Sequence, residues 1–295
     1  MNKGHAAAFA AYLFWGLSPI YWKIVISVPA LEILGIRILW AIPFLLIVLT
    51  WRSDFSVFKT VGADPWKYKV YILSALLLAV NWGVWIWSVT HGHVVDASLG
   101  YFINPLLNVA IGVLFLREHL RRMQWVSLFL AGAGVLYLTT NYGQFPWIAL
   151  TLAGSFALYG YIRKTAALGA VNGLAIEVSV LIVPAIALLL YLDQTTTLVL
   201  RSTALSIHAW LSVTGLITVV PLTMFAYGAR KIPYSTLGFI QYIAPTLQFL
   251  IGIYLYNEDF SLEKLIGFGF IWLALIVYSS ENIYFHKHKS LLISS

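Results

Sequence analysis

Residues 97–118 read ASLGYFINPLLNVAIGVLFLRE, and residues 235–258 read STLGFIQYIAPTLQFLIGIYLYNE. Each stretch opens near a Leu-Gly pair, carries amides and a proline in an apolar run, and closes on a glutamate. At a shift of 140 residues Pro105 meets Pro245, Asn108 meets Gln248, Gly112 meets Gly252 and Glu118 meets Glu258. Leu99-Gly100 meets Leu237-Gly238 at a shift of 138, so the second copy holds two extra residues between those points. Weaker echoes pair Trp15-Gly16 with Tyr159-Gly160, and Glu32 with Glu177. The chain reads as a duplication.

Both stretches are also long enough to cross a bilayer, whose hydrocarbon core of about 30 Å takes about 20 apolar residues of helix. That rule marks ten spans, at 5–24, 30–50, 70–90, 95–116, 124–140, 145–163, 173–192, 207–229, 235–256 and 262–280. Only residues 141–144 separate the fifth from the sixth, and Asn141, Gly143 and Pro146 punctuate that point. Composition agrees: 61% of the 295 residues are hydrophobic and 10% are charged, where a soluble domain carries about 25% charged residues. The longest polar connection, 51–69, is too short for a domain of its own. The first apolar run follows a lysine as a signal peptide would, but further spans follow at once, so it is expected to stay as an uncleaved helix.

With the N-terminus inside, 14 of the 18 lysines and arginines fall on cytoplasmic segments, and three (Lys23, Arg201 and Lys264) fall outside. Arg37 lies within a span. This positive-inside bias sets both termini in the cytoplasm. It also accounts for the net charge of +7 as a topology signal, so no nucleic-acid partner is expected. Trp51, Trp66, Trp125 and Trp147 sit near span ends, as interfacial tryptophans do. The expected partners are the lipid bilayer and a small-molecule substrate; a homo-oligomer is left open.

Five spans per half is an odd number, so the second half enters the membrane from the opposite side. The expected fold is an all-α membrane protein of two inverted five-helix repeats, residues 1–141 and 145–284, with 285–295 as a cytoplasmic tail. Inverted duplication recurs in secondary transporters, where rocking of one copy against the other exposes a central site to each side in turn.

On a helix wheel Ser98, Tyr101, Asn104, Pro105, Asn108 and Gly112 share one face, as do Gln241, Pro245, Gln248 and Gly252. Polar groups aimed at lipid are costly, so both faces should point inward. There they serve helix–helix hydrogen bonding or line a cavity. Asn81, Trp82, Trp85 and Trp87 lie away from the interfaces in the third span. They suit core filling, or a wall that stacks on a flat or cationic ligand. Arg37, Glu32 and Glu177 are the ionisable residues placed inside the membrane, at about 2.5–3.5 kcal/mol each for a helix centre. Arg37 keeps its charge and should meet a ligand or a carboxylate; Glu32 is the nearest candidate. The substrate-binding set is Arg37, Asn81, Trp82, Trp87, Tyr101, Asn104, Asn108, Gln241 and Gln248. Glu32 and Glu177 are candidates for proton or charge coupling, against a plainer reading as snorkelling residues.

Other chemistries find no footing. His91, His93 and Asp96 carry metal-like letters but read as a solvated turn without a fourth ligand. No metal and no cofactor is expected. The chain has no cysteine, which removes disulfides and thiolate catalysis. It contains no G-x-x-x-x-G-K-[ST], H-E-x-x-H or G-x-S-x-G motif, so it is expected not to be an enzyme, and a gradient would supply the energy.

Asn81-Trp82, Ile86-Trp87 and the run 97–106 resemble the RarD branch of the drug/metabolite transporter superfamily, the EamA-type carriers. So do 16–23 (GLSPIYWK), 155–160 (SFALYG) with Arg163-Lys164, and 235–242 (STLGFIQY) with Ala244-Pro245-Thr246. The resemblance covers nearly the whole chain and is most specific over 98–106. It implies ten spans in two EamA repeats in the inner membrane, and export or exchange of small metabolites or drugs through a central cavity. A link to chloramphenicol sensitivity labels the group without fixing a substrate. Two positions depart from its pattern, Asp96 where glutamate is expected and Thr90 where asparagine is common. Both lie on the outside loop and weaken any statement about gating there. The alternative is a membrane-embedded enzyme or scaffold without transport; the inverted repeat favours the carrier.

Overall fold

An apolar segment in hydrocarbon has no water to satisfy its backbone, and the α-helix satisfies it within the segment. A computed structural model describes residues 3–52, 54–63, 69–91, 93–140, 145–195, 198–201, 204–256 and 262–293. Among them there is no strand. The helices are α1 (Lys3–Ile24), α2 (Ala30–Trp51), α3 (Ser56–Ala63), α4 (Lys69–Thr90), α5 (Val94–Leu114), α6 (Arg122–Thr140), α7 (Trp147–Thr165), α8 (Ala170–Thr195), α9 (Leu205–Lys231), α10 (Tyr234–Gln241), α11 (Ile243–Tyr256) and α12 (Leu262–Ile293). The turn expected at 141–144 and the repeat glutamate Glu258 lie outside the described residues.

Each hydropathy segment falls on helix, with three differences. The polar link 51–69 contains α3, whose Val57 is buried against Tyr71, Ile162 and Ile176. The run 235–256 is two helices that part at Tyr242; Pro245, one turn on, has no N–H to give the Gln241 carbonyl. The last helix continues to Ile293, through the residues read as a tail.

Seven helical segments among the described residues are long and apolar enough to span a bilayer: α2, α4, α6, α8, α9, α10 with α11, and α12. Their outward surface is apolar. Ile47, Phe129, Leu136 and Val183 are 63–72% exposed, which suits lipid and not water. The chain is an all-helical, multi-pass membrane protein. Inside the bundle α1 packs on α9 and α11, α2 on α8 and α9, α4 on α7 and α8, α5 on α7 and α10, and α6 on α12.

One of these contacts is fastened by charge. Glu118, just beyond α5, accepts hydrogen bonds from Tyr234 N at 2.5 Å, Ser235 N at 2.8 Å and Ser235 Oγ at 2.7 Å. A helix start leaves N–H groups without acceptors and favours negative charge, so Glu118 caps α10 from a distant part of the chain. Arg117 takes the left-handed φ of 55° as the chain turns there. Gly112 leaves the room: a Cβ there would lie 2.7 Å from Glu118 Oε2 and 3.0 Å from Ser235 N. Glu118→Ala is expected to lower stability by about 1–3 kcal/mol, read as earlier thermal unfolding in detergent, and Glu118→Gln should do less harm.

Candidate functional site

Three of the predicted amides meet where α5 crosses α10. Asn104 and Asn108 are one turn apart on α5, and Gln241 ends α10. Gln241 Nε2 donates to Asn104 Oδ1 at 2.5 Å, and Asn108 Nδ2 donates to Gln241 Oε1 at 2.6 Å and to Asn104 Oδ1 at 3.3 Å. Asn104 Nδ2 donates to Ala153 O on α7 at 2.6 Å, and the Tyr12 hydroxyl on α1 reaches Gln241 Oε1 at 3.2 Å. All four side chains are buried. The inward-facing stripe is thus bonded to itself and to two further helices. Within this group Asn108 Oδ1 is left without a hydrogen-bond partner among the described residues.

A second polar group lies where α4, α7 and α8 meet. Glu177 on α8 is fully buried; its Oε1 lies 3.5 Å from Arg163 Nη1 and accepts from Ser74 Oγ at 2.5 Å, and its Oε2 accepts from the Tyr159 hydroxyl at 3.2 Å. It does not snorkel. Arg163, counted in the sequence as a cytoplasmic flanking charge, has no exposed surface and donates to Ala170 O at 2.6 Å. Gly173 makes this possible, because a Cβ there would sit 1.8 Å from Arg163 Nη1. Sequence reasoning left Arg163, Ser74, Tyr159 and Tyr12 out of the site; the arginine's signal was its place in the segment that resembles the family.

The third group surrounds Arg37 on α2. Its Nε donates to Thr218 Oγ1 on α9 at 3.1 Å, and its guanidinium lies 4.2 Å from the Trp82 ring centroid and 5.6 Å from that of Trp22. Glu32 is not its partner. That carboxylate is buried and accepts from Val199 N at 2.9 Å, which draws it toward the α8–α9 connection.

The other predicted residues make no hydrogen bond to these groups. Asn81 donates to Leu152 O at 2.9 Å and Ser155 Oγ at 3.0 Å, which ties α4 to α7. Gln248 donates to Trp15 O at 3.1 Å. Tyr101 is 37% exposed. Trp87 stacks on His91 and His93 at 4.7 and 5.4 Å and meets Trp147 at 5.5 Å, so it caps the end of α4. The side chains of Thr90, Asp96 and Ser98 lie outside the described residues. No group of three metal-ligating side chains occurs among the described residues. A groove of about 210 Å³ between α2, α8 and α9 is lined by Ile36, Leu39, Trp40, Leu189, His208 and Leu211, none of them a predicted site residue.

Apolar outer faces around bonded polar groups define a multi-pass membrane protein with a polar interior. The EamA-like transporter family matches residues 2–140. Protein RarD of Escherichia coli (strain K12) is 40% identical over 289 residues, covering 98% of each chain. The uncharacterized transporter YojE of Bacillus subtilis (strain 168) is 38% identical over 96% of this chain and 95% of its own. The chloramphenicol-sensitive protein RarD of Pseudomonas aeruginosa is 28% identical over 94% of this chain and 93% of its own. The chain belongs to the EamA-like transporter family, in its RarD group of drug/metabolite transporters. One crystal structure, 16% identical, covers 93% of this chain and 96% of its own at a TM-score of 0.71, a likeness of fold alone.

Glu177→Gln removes one charge of a buried pair and leaves Arg163 uncompensated. A loss of about 3–5 kcal/mol is expected, whereas replacing both partners by apolar residues, Arg163→Met with Glu177→Leu, should recover much of it. Thermal unfolding of the purified variants in detergent checks the order.

Proposed function

We propose that the chain is a gradient-driven secondary transporter that exports or exchanges small metabolites or drugs across the inner membrane by alternating access. In this reading ten spans form two inverted repeats, residues 1–141 and 145–284, with both termini cytoplasmic. The packing partners support it, because they come in mates. If the first five spans (α1, α2, α4, α5, α6) correspond to the last five (α7, α8, α9, α10 with α11, α12), then α5 on α7 is matched by α11 on α1. Likewise α1 on α9 is matched by α7 on α4, and α2 on α9 by α8 on α4. The pairs α2 with α8, α5 with α10 and α6 with α12 are their own mates.

One observation carries the alternating-access part: this symmetry is broken at the polar crossing. The mate of the Asn108–Gln241 hydrogen bond would join Gln248 to Tyr101 or Ile103, according to where the two extra residues of the second copy are placed. No such bond exists. Gln248 turns to Trp15 O, and Tyr101 is 37% exposed. One side of the crossing is tied and its mate is loose, the arrangement expected of a carrier closed inside and open outside. Exchange of the two arrangements would move access across the membrane. We assign binding to the residues around the loose side, Arg37, Trp82 and Tyr101, with Asn81 and Gln248 beside them and Asn104, Asn108 and Gln241 as the inner closure. Glu177 is the assigned coupling carboxylate, because it joins α4, α7 and α8.

Reconstituted protein should move a subset of a metabolite and drug panel across vesicle membranes, faster under an imposed pH gradient. Vesicles that leak no panel member above protein-free controls would sink the transport reading.

Single cysteines can be introduced freely, since the chain has none. At positions 82 and 101 they should react with an impermeant maleimide from the periplasmic side. At 108 and 241 they should stay protected there and react from the cytoplasmic side during turnover. Protection of 108 and 241 under every condition would place the pathway elsewhere.

A further inference from the structure

Arg37 and Arg163 are both held within the bundle, but only one is neutralised. Arg163 has Glu177 and backbone carbonyls. Arg37 has one hydrogen bond, from Nε to Thr218. The four N–H groups on its Nη atoms meet no acceptor, and no ion pair reaches it, among the described residues. A guanidinium does not shed its charge in a protein, and an unmatched charge within the bilayer is costly. Arg37 lies seven residues into α2 and Trp82 eight residues before the end of α4, on the order of 10 Å below the outer helix ends. Both are partly exposed. Its contacts with Trp82 on α4 and Thr218 on α9 place the guanidinium between helices of the bundle, with its Nη edge open.

The shape of what remains open is informative. Trp82, and more distantly Trp22, cover the planar ion, and Thr218 takes its Nε edge. The aromatic face that suited a cationic ligand in the sequence is already filled by the protein's own cation. What is left is the pair of Nη groups, a fork that matches a carboxylate in a bidentate manner. The partly exposed Tyr101 ring and Trp82 offer apolar surface beside it.

We propose that Arg37 anchors a subsite for an organic anion, a carboxylate on a planar or apolar body, and that this class is the cargo. The inference rests on the transport reading only in calling the ligand cargo; the binding itself is tested without transport. Protein in lipid nanodiscs would be titrated by calorimetry with phenylacetate, phenylacetamide and phenethylammonium, which share a body and differ in charge. Benzoate, cyclohexylacetate and chloride complete the set. Phenylacetate should bind at least about tenfold tighter than phenylacetamide, because the lost contacts are charge-assisted, and phenethylammonium should not bind. Arg37→Gln should erase the preference, and Arg37→Lys should keep only part of it because the fork is lost. Should Arg37→Gln fail to fold, the acid-against-amide comparison on the unaltered protein decides alone. Equal binding of acid and amide, no binding of any of the three carboxylates, unchanged acid binding by Arg37→Gln, or full displacement by chloride at equal concentration would overturn the proposal. Acid that binds through Arg37 yet is not moved in vesicles would count against the transport reading alone; transport of neutral solutes without an acid preference would count against the anion subsite alone.

Discussion

Where α5 crosses α10, two asparagines, a glutamine and a tyrosine from three helices bond to one another in a place that excludes water. Hydrocarbon offers no competing partner, so each donor and acceptor must be answered within the protein or left at full desolvation cost. That requirement gives the crossing its geometry. Helix–helix contact between apolar surfaces gains nothing from the hydrophobic effect in lipid. The directional bonds of Asn104, Asn108 and Gln241 supply what apolar contact cannot, a particular register between elements that lie 133 or more residues apart. The Glu118 cap on α10 acts in the same sense a turn or two away, holding the start of the helix whose end carries Gln241.

The two enclosed arginines show how the same rule yields opposite outcomes. Arg163 is neutralised by what surrounds it: Glu177 forms an ion pair at 3.5 Å from its Nη1, the Ala170 carbonyl accepts from its Nη2, and Gly173 clears the space. A buried pair of this kind adds little net stability but is costly to break, so it fixes α7 against α8. Arg37 is bonded at one edge and stacked on a tryptophan. Its position is defined while its charge is not consumed. A rigidly held but unspent cation is poised for an incoming partner, because little ordering is needed when that partner arrives.

Much of this architecture was legible in the sequence. Hydropathy reports the solvent directly, which is why the ten apolar segments fall on helices. The inward stripe of Asn104 and Asn108 was legible too, since a period of 3.6 residues sorts faces. Whether such a stripe lines water or bonds to itself depends on the helix opposite, and no local pattern carries that. Arg163 was misjudged for a related reason. A count of basic residues treats every arginine at a helix end alike, while burial here turns on Gly173 and on carbonyls six and seven residues away. Glu32 was given Arg37 as a neighbour because the two are close in sequence; the structure gives it the amide of Val199, 167 residues distant. The break at Tyr242 had a signal in Pro245, but Pro105 sits at the matching place in an unbroken helix. Proline alone therefore does not decide it.

On the proposed duplication, the frame repeats and the chemistry belongs to single copies. Pro43 on α2 and Pro184 on α8 match at a shift of 141, as Pro105 and Pro245 match at 140. The two enclosed arginines do not repeat. At shifts of 141 and 145, Arg37 falls on Val178 and on Ile182, and at the shift of 144 that aligns Trp15 with Tyr159, Arg163 falls on Pro19. In a carrier made of two identical halves, the inward and outward states would be related by a two-fold rotation and equal in energy, and a ligand would bind each alike. A ligand that binds two states alike shifts nothing between them. Here the unmatched cation stands on the loose side of the crossing, and the neutralised pair stands on the tied side. If rocking exchanges two states, as proposed, those states are chemically distinct, and an anion at Arg37 would meet a different surround in each. Divergence of a few enclosed residues within a repeated frame would let such a molecule favour one of its two states, while the gradient sets the direction of net movement.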